Sequence, residues 1–320
     1  IAAEITRGRV LYRAVNIDAP FPGAFYLLAS WFRLLGTSVY SSRLLAVTVF
    51  ALLVMAVFRL AREFLGRAWS LGVVVVFLCY RIWAFPHWHI FNYSPLAATL
   101  LLAAAGGVFA FLRTERGGHV FVAGLLAGAG ILCKQDYGLA VSAALGLVLL
   151  AHPVLRLPRP RPWGALLGPA AGFAASALAV VAPALGYLVA AGAFPGFLQQ
   201  TLLLPLSGAA TYSFTRLPAI FPLLHQNPAL RAGIGNYLPS VLATLRWQPI
   251  FHSWLWRETP VWDLALKLVF YAPLLLIGTG ILWWGGGAWR RRRGGVSAED
   301  ERRLALLALA GGFLLAFNRP

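Results

Sequence analysis

The sequence predicts an all-α, polytopic bundle of membrane-spanning helices, and three observations carry that prediction. Hydrophobic residues make up 60% of the 320 and charged residues only 12%, where a soluble domain carries about 25% charged. Apolar stretches of roughly 15 to 28 residues recur along the chain, enough at helical rise to approach or cross a hydrocarbon core. The connections between them alternate between Arg-dense and Arg-poor, the asymmetry that orients a polytopic protein.

Taken in order, the apolar spans fall at about 43–58, 68–85, 95–112, 120–133, 138–152, 164–191, 264–284 and 304–317, each drawn from apolar length. Eight crossings form one transmembrane domain. Residues 1–42 are its first external loop and 192–262 its large external segment, both expected to be partly helical. The spans at 120–133 and 138–152 are short for a core about 30 Å thick, so they either cross separately or fold as one re-entrant hairpin. Loop sidedness is the same in both cases.

The loops at 59–67, 113–119, 153–163 and 285–303 hold 14 Lys and Arg in 46 residues, whereas 1–40, 81–94, 133–137 and 192–262 hold 10 in 130. The positive-inside rule puts the first set in the cytoplasm and the second, including 1–42 and 192–262, on the periplasmic or exterior side of the cytoplasmic membrane. A net charge of +17 does not indicate nucleic acid, because runs such as Arg291 to Arg293 flank apolar spans instead of forming a basic face; they suit anionic lipid headgroups. Cys79 and Cys133 lie within or at the end of spans and read as small buried hydrophobes. Ile1 opens the sequence with no leader pattern, and the reading expects a piece of a longer chain with at least one span upstream.

Small residues spaced four apart, Gly124 with Gly128 and Gly168 with Gly172, predict close helix approach in lipid. Pro169 and Pro183 are expected to bend the long 164–191 span.

Residues 1–36 carry the most chemistry: Glu4, Gly8, the run Leu11-Tyr12-Arg13, Asp18, Pro20, Tyr26 and Leu35-Gly36, followed by Ser42-Arg43-Leu44. This run resembles the first external loop of the C-type (GT-C) membrane glycosyltransferases, in particular bacterial relatives of protein O-mannosyltransferases and aminoarabinose lipid A transferases. The glycine-rich stretch Gly124 to Gly138, which carries Lys134 near its end, is similar to a span of that family. Phe194 to Gln200, followed by Pro205, resembles the start of its large external region. The resemblance implies a polyprenyl-phosphate-linked sugar as donor substrate, with a glycan, lipid or protein acceptor. The family's presumed catalytic base, an Asp just after the first span, would lie before Ile1. Glu4 and Asp18 are the nearest remaining acids and are expected to be auxiliary only.

Such a transfer needs a carboxylate to take the acceptor proton and cations to stabilise the departing lipid phosphate. Arg13 and Lys134 are the expected phosphate ligands, Arg as a fork and Lys as a point charge. Lys134 also has Asp136 two residues on, in a tight connection where a local ion pair is the plain alternative. Tyr137 follows and joins the expected substrate contacts. Asp18 equally suits a turn before Pro20, and Glu4 a helix. The loop 81–94 offers His87, His89 and Asn92 as substrate contacts; the two His could share a metal if the segment is extended, although no third ligand is evident. Interfacial aromatics with hydrogen-bonding histidines are the alternative there. In 192–262, Trp247, Trp254, Trp256 and Trp262 interleave with Arg246, His252 and Arg257, which suits an element lying at headgroup level or a wall along the donor's lipid.

Two other functional classes stay open on sequence. A secondary transporter should show mid-span ionisable residues and two related halves with broken helices. Lys267 lies near a span end, and no internal repeat is found. A non-catalytic lipid-binding scaffold would use the outward acids only for local structure.

Overall fold

The computed structural model describes residues 1–16, 21–83, 91–155, 163–203 and 297–317, with isolated residues between 271 and 283. The described residues are almost wholly helical, and their one β feature is an isolated bridge between Leu11 and Val15. In chain order the helices are α1 (Ala2–Thr6), α2 (Gly23–Leu35), α3 (Val39–Arg62), α4 (Arg67–Trp83), α5 (Tyr93–Thr114), α6 (Gly117–Cys133), α7 (Gln135–Leu155), α8 (Trp163–Ala190) and α9 (Phe194–Leu198). A π-helical turn, Gln199–Leu203, follows α9, and α10 is Ala298–Phe317.

The helices α3, α5, α7 and α8 are each long and apolar enough to cross a bilayer. The protein is thus an integral membrane, all-α bundle. The helix of α3, 24 residues, is about 36 Å long at 1.5 Å per residue. Each apolar stretch drawn from sequence within the described residues is occupied by a helix, generally a few residues longer because capping lies outside the apolar run. Ser38 caps α3, its Oγ accepting the Ser41 N–H at 3.0 Å. Ser297 caps α10 by accepting the Asp300 N–H at 3.1 Å, while its hydroxyl donates to the Asp300 carboxylate at 2.8 Å. These caps satisfy helix-end donors that hydrocarbon would leave costly. The span drawn at 264–284 lies outside the described residues apart from a few isolated positions.

Helix directions follow from which residues meet. On α5 and α6, Gly107 faces Ala123 and Gly130 faces Leu101, so the two run antiparallel. On α6 and α8, Gly124 faces Phe173 and Gly128 faces Ala177, so these two run parallel. A Cβ on Gly124 would stand 2.3 Å from the Phe173 carbonyl, and one on Gly128 2.4 Å from that of Ala177. The backbones are therefore in direct contact, as the Gly124 and Gly128 spacing predicts. Gly168 and Gly172, in contrast, meet nothing within 4 Å among the described residues. Pro169 and Pro183 both stand inside α8. The core runs through α5, α6 and α7, with Leu101, Val108, Phe109, Leu112, Val141, Leu145 and Leu149 fully buried, and α10 closes it with Ala305 and Leu309. Cys133 is buried and reduced at the end of α6; the side chain of Cys79 lies outside the described residues.

The two ends of the bundle sort as the arginine pattern requires. At one end the turns after α3 and α5, the end of α7 and the start of α10 come together. Arg113 binds Glu63 at 3.2 Å, Arg302 approaches the same carboxylate at 4.0 Å, and His152 Nδ1 meets the Glu301 carboxylate. This is the Arg-rich end. At the opposite, Arg-poor end lie residues 1–16, α2, the α6–α7 junction, the start of α5 and the end of α8. The latter helix thus finishes at one end of the bundle, and α10 begins at the other.

Candidate functional site

At the Arg-poor end the first sixteen residues are sewn to the segment after α8. Glu4, on α1, binds Arg7 at 2.6 Å and Arg9 at 3.0 Å. Gly8 then turns the chain at φ +85, a conformation open to glycine at little cost. Tyr12 adopts φ 64, costly for a bulky residue, and is held there by its N–H donating to the Val15 carbonyl at 2.8 Å and by its ring meeting Phe197 edge-on at 5.3 Å. Its own carbonyl lies where a Cβ on Gly196 would fall, 2.2 Å away, so only glycine fits at that point of α9. Arg13 donates to the Ala191 carbonyl at 3.2 Å, just past the end of α8, and Gln200 donates to Asn16 at 3.0 Å. Burial pushes the Tyr12 phenol well above its ordinary value, with a smaller contribution from Tyr26.

Beside this segment opens a cavity of about 480 Å³, lined by Arg9, Tyr26, Ser30, Arg33, Leu132 and Tyr187 among others. Tyr26, Ser30 and Arg33 stand at i, i+4 and i+7 on α2, one face of the helix, and that face bounds the cavity. Leu132 ends α6, while Ala184, Tyr187 and Leu188 belong to the last turns of α8. Gly23 lets α2 approach, since a Cβ there would meet the Leu132 carbonyl at 2.7 Å. Tyr26 and Tyr187 pack edge-on at 5.9 Å. Burial, and then Tyr187, push the Tyr26 phenol up to about 12. The result is a cleft with an apolar wall, two phenols and two exposed guanidiniums, which suits an anionic head on an apolar tail.

Next to the cavity wall, α6 ends and α7 begins across a single non-helical residue. Lys134 takes φ −152, ψ 105, and the crossing is tight enough that a Cβ on Gly138 would lie 2.3 Å from the Ile131 Cα. The Lys134 ammonium sits 3.5 Å from the centroid of the Tyr137 ring, 5.9 Å from that of Tyr93 and 3.8 Å from Asp136 Oδ2. The other oxygen of Asp136 accepts the Tyr137 N–H at 2.9 Å. Asn92 caps α5, its Oδ1 accepting the Ser94 N–H at 2.9 Å, and thereby sets Tyr93 against Lys134.

The structure therefore brings Lys134, Asp136 and Tyr137 into one cluster with the α5 start that follows Asn92. It places Glu4 against Arg9 at the cavity, and commits Arg13 to the end of α8. Asp18, His87, His89 and the Trp-rich stretch of 192–262 lie outside the described residues. Among the described residues, no three of His, Cys, Asp and Glu gather to hold a metal. Arg9, Ser30, Arg33 and Tyr187 were not legible as site residues. The signal for two of them was available in the i, i+4, i+7 pattern that starts from Tyr26, which reads as amphipathic packing until α8 is seen to stand off from it.

The described residues thus form a bundle of membrane-crossing helices with an amphipathic cleft and a ring-packed lysine at one end. The sequence matches the family described as dolichyl-phosphate-mannose-protein mannosyltransferase over residues 18–187, more than half of the chain. The protein belongs to this GT-C family of membrane glycosyltransferases, which use a lipid-linked sugar. No curated protein and no solved structure matches the chain.

Proposed function

We propose that the protein transfers a sugar from a polyprenyl-phosphate carrier to a glycan, lipid or protein acceptor at the outer face of the cytoplasmic membrane. The observation that carries this reading is the cavity between α2 and α8, whose guanidinium rim and apolar wall match a phosphate joined to a hydrocarbon chain, in a chain of this family. In the reaction an acceptor hydroxyl oxygen bonds to the anomeric carbon, the bond from that carbon to the phosphate oxygen breaks, and the lipid phosphate leaves with the electron pair. A carboxylate takes the hydroxyl proton. Arg9 and Arg33 at the cavity and Lys134 beside it supply the cationic field for the leaving phosphate. Arg13, hydrogen-bonded to the Ala191 carbonyl just past α8, adds to that field. Glu4 and Asp18 are auxiliary acids in this reading. Glu4 already holds Arg9, so its first role is to orient that guanidinium. His87, His89 and Asn92 belong to the loop that would meet sugar or acceptor.

The test is to reconstitute the full-length protein in lipid vesicles with radiolabelled polyprenyl-phosphate sugars and a cell-envelope acceptor extract. Label should pass to an acceptor, and Arg33→Gln should reduce that passage. Label that crosses the bilayer still attached to its carrier would assign a transporter instead. Binding without either outcome would assign a scaffold.

A further inference from the structure

We propose that Tyr137 is a positioning residue for Lys134, and that α10 sets the place of the Lys134 ammonium through Phe313. The inference rests on the reading above, in which Lys134 meets the lipid phosphate. Four observations lead to it. The ammonium lies directly over the Tyr137 ring, 3.5 Å from its centroid, well inside the range in which a ring face attracts a cation. Its carboxylate neighbour Asp136 stands at 3.8 Å and forms an ion pair with it. The Tyr137 ring is fixed in turn, by Asp136 accepting its backbone N–H and by Phe313 meeting its edge at 6.1 Å and 84°. Beside Phe313, Gly312 lets α10 touch α7, with a Cβ there falling 3.1 Å from the Ala140 carbonyl.

A lysine carries four rotatable bonds, and ordering it costs about 2 kcal/mol of rotamer freedom. A ring face adds attraction and direction to the ion pair with Asp136, and so fixes where the ammonium stands. The register of α10 is itself held at the Arg-rich end, where Glu301 meets His152 and Arg302 approaches Glu63. One helix therefore spans from the ion pairs of one end to the aromatic seat of Lys134 at the other. That coupling explains why a residue near the end of α10, far along the chain, belongs to the site.

The experiment titrates dolichyl phosphate into the full-length protein in lipid nanodiscs. Tyr137→Leu is expected to weaken binding about tenfold, the size of a partly desolvated cation–ring contact, and Tyr137→Phe to stay within about twofold because the ring face remains. In a Lys134→Ala background Tyr137→Leu should add nothing, since the two residues act as one unit. Should Tyr137→Leu misfold, Phe313→Leu keeps the ring and removes its support, with an expected loss of about threefold that again vanishes without Lys134. Wild-type binding by Tyr137→Leu, or a loss that persists in the Lys134→Ala background, overturns the positioning role. A Lys134→Ala protein that binds as tightly as wild type would instead remove Lys134 from the proposed function, and this inference with it.

Discussion

The two ends of the bundle solve opposite problems. At the Arg-rich end polar groups face one another: His152 and Glu301, 8% and 2% exposed, meet, and Glu63 is shared by Arg113 and Arg302. At the Arg-poor end Arg9 and Arg33 line a cavity, Arg9 pairing with Glu4, and Lys134 sits over an aromatic ring and beside Asp136.

The comparison can be broken at either end. The largest effect is expected at the site. Lys134→Ala in the full-length protein should lower turnover per folded molecule about a hundredfold, the cost of losing one preorganised donor to a developing anion. Equal turnover at equal expression would remove Lys134 from the mechanism. At the other end His152→Leu strands a buried carboxylate and should cost about 3 kcal/mol of stability, read by denaturation in lipid, while turnover per folded molecule holds. Substituting Glu301 by Met in the same protein should restore most of that loss. Arg113→Ala removes an ion pair whose guanidinium is 56% exposed, and should change stability by less than about 1 kcal/mol, and less still at high salt. A larger loss would mean that Glu63 is the keystone of that end.

The smallest effect is an alkaline one at the cavity. Tyr26 titrates at about 12 in the folded protein against 10.0 ordinarily, so folding favours the neutral phenol. Its contribution to stability is whole below pH 10.0 and is lost as pH rises through about 12, because the unfolded chain releases that proton first. Tyr26→Phe, which cannot ionise, should flatten the pH dependence of unfolding in that window. An unchanged slope would place the Tyr26 hydroxyl in solvent.

The helices were legible because in lipid every backbone group must be satisfied within its own segment, and apolar length alone then marks a span. Gly124 with Gly128 announced the α6–α8 contact. The site was only partly legible. Lys134, Asp136 and Tyr137 are adjacent in sequence, so a local cluster could be read from spacing. The cavity joins α2 to α8 across more than 150 residues, and no local pattern encodes which face of α2 stands clear of its neighbour. Arg13 read as a phosphate ligand from its charge, but its bond to the Ala191 carbonyl depends on where α8 ends. His152 and Glu301 went unnoticed for a related reason, since each looks like an ordinary polar residue at a helix end until α7 and α10 are set side by side.

The central claim is that the cavity and the Arg-rich cluster around Glu63 lie across a bilayer from one another. Single cysteines at Arg33 and at Arg116, in a protein whose Cys79 and Cys133 are replaced by Ala, can be exposed to a membrane-impermeant thiol reagent in intact cells and in inverted vesicles. The account predicts that position 33 reacts only from outside the cell and position 116 only from inverted vesicles. Reaction of both from the same compartment would contradict it.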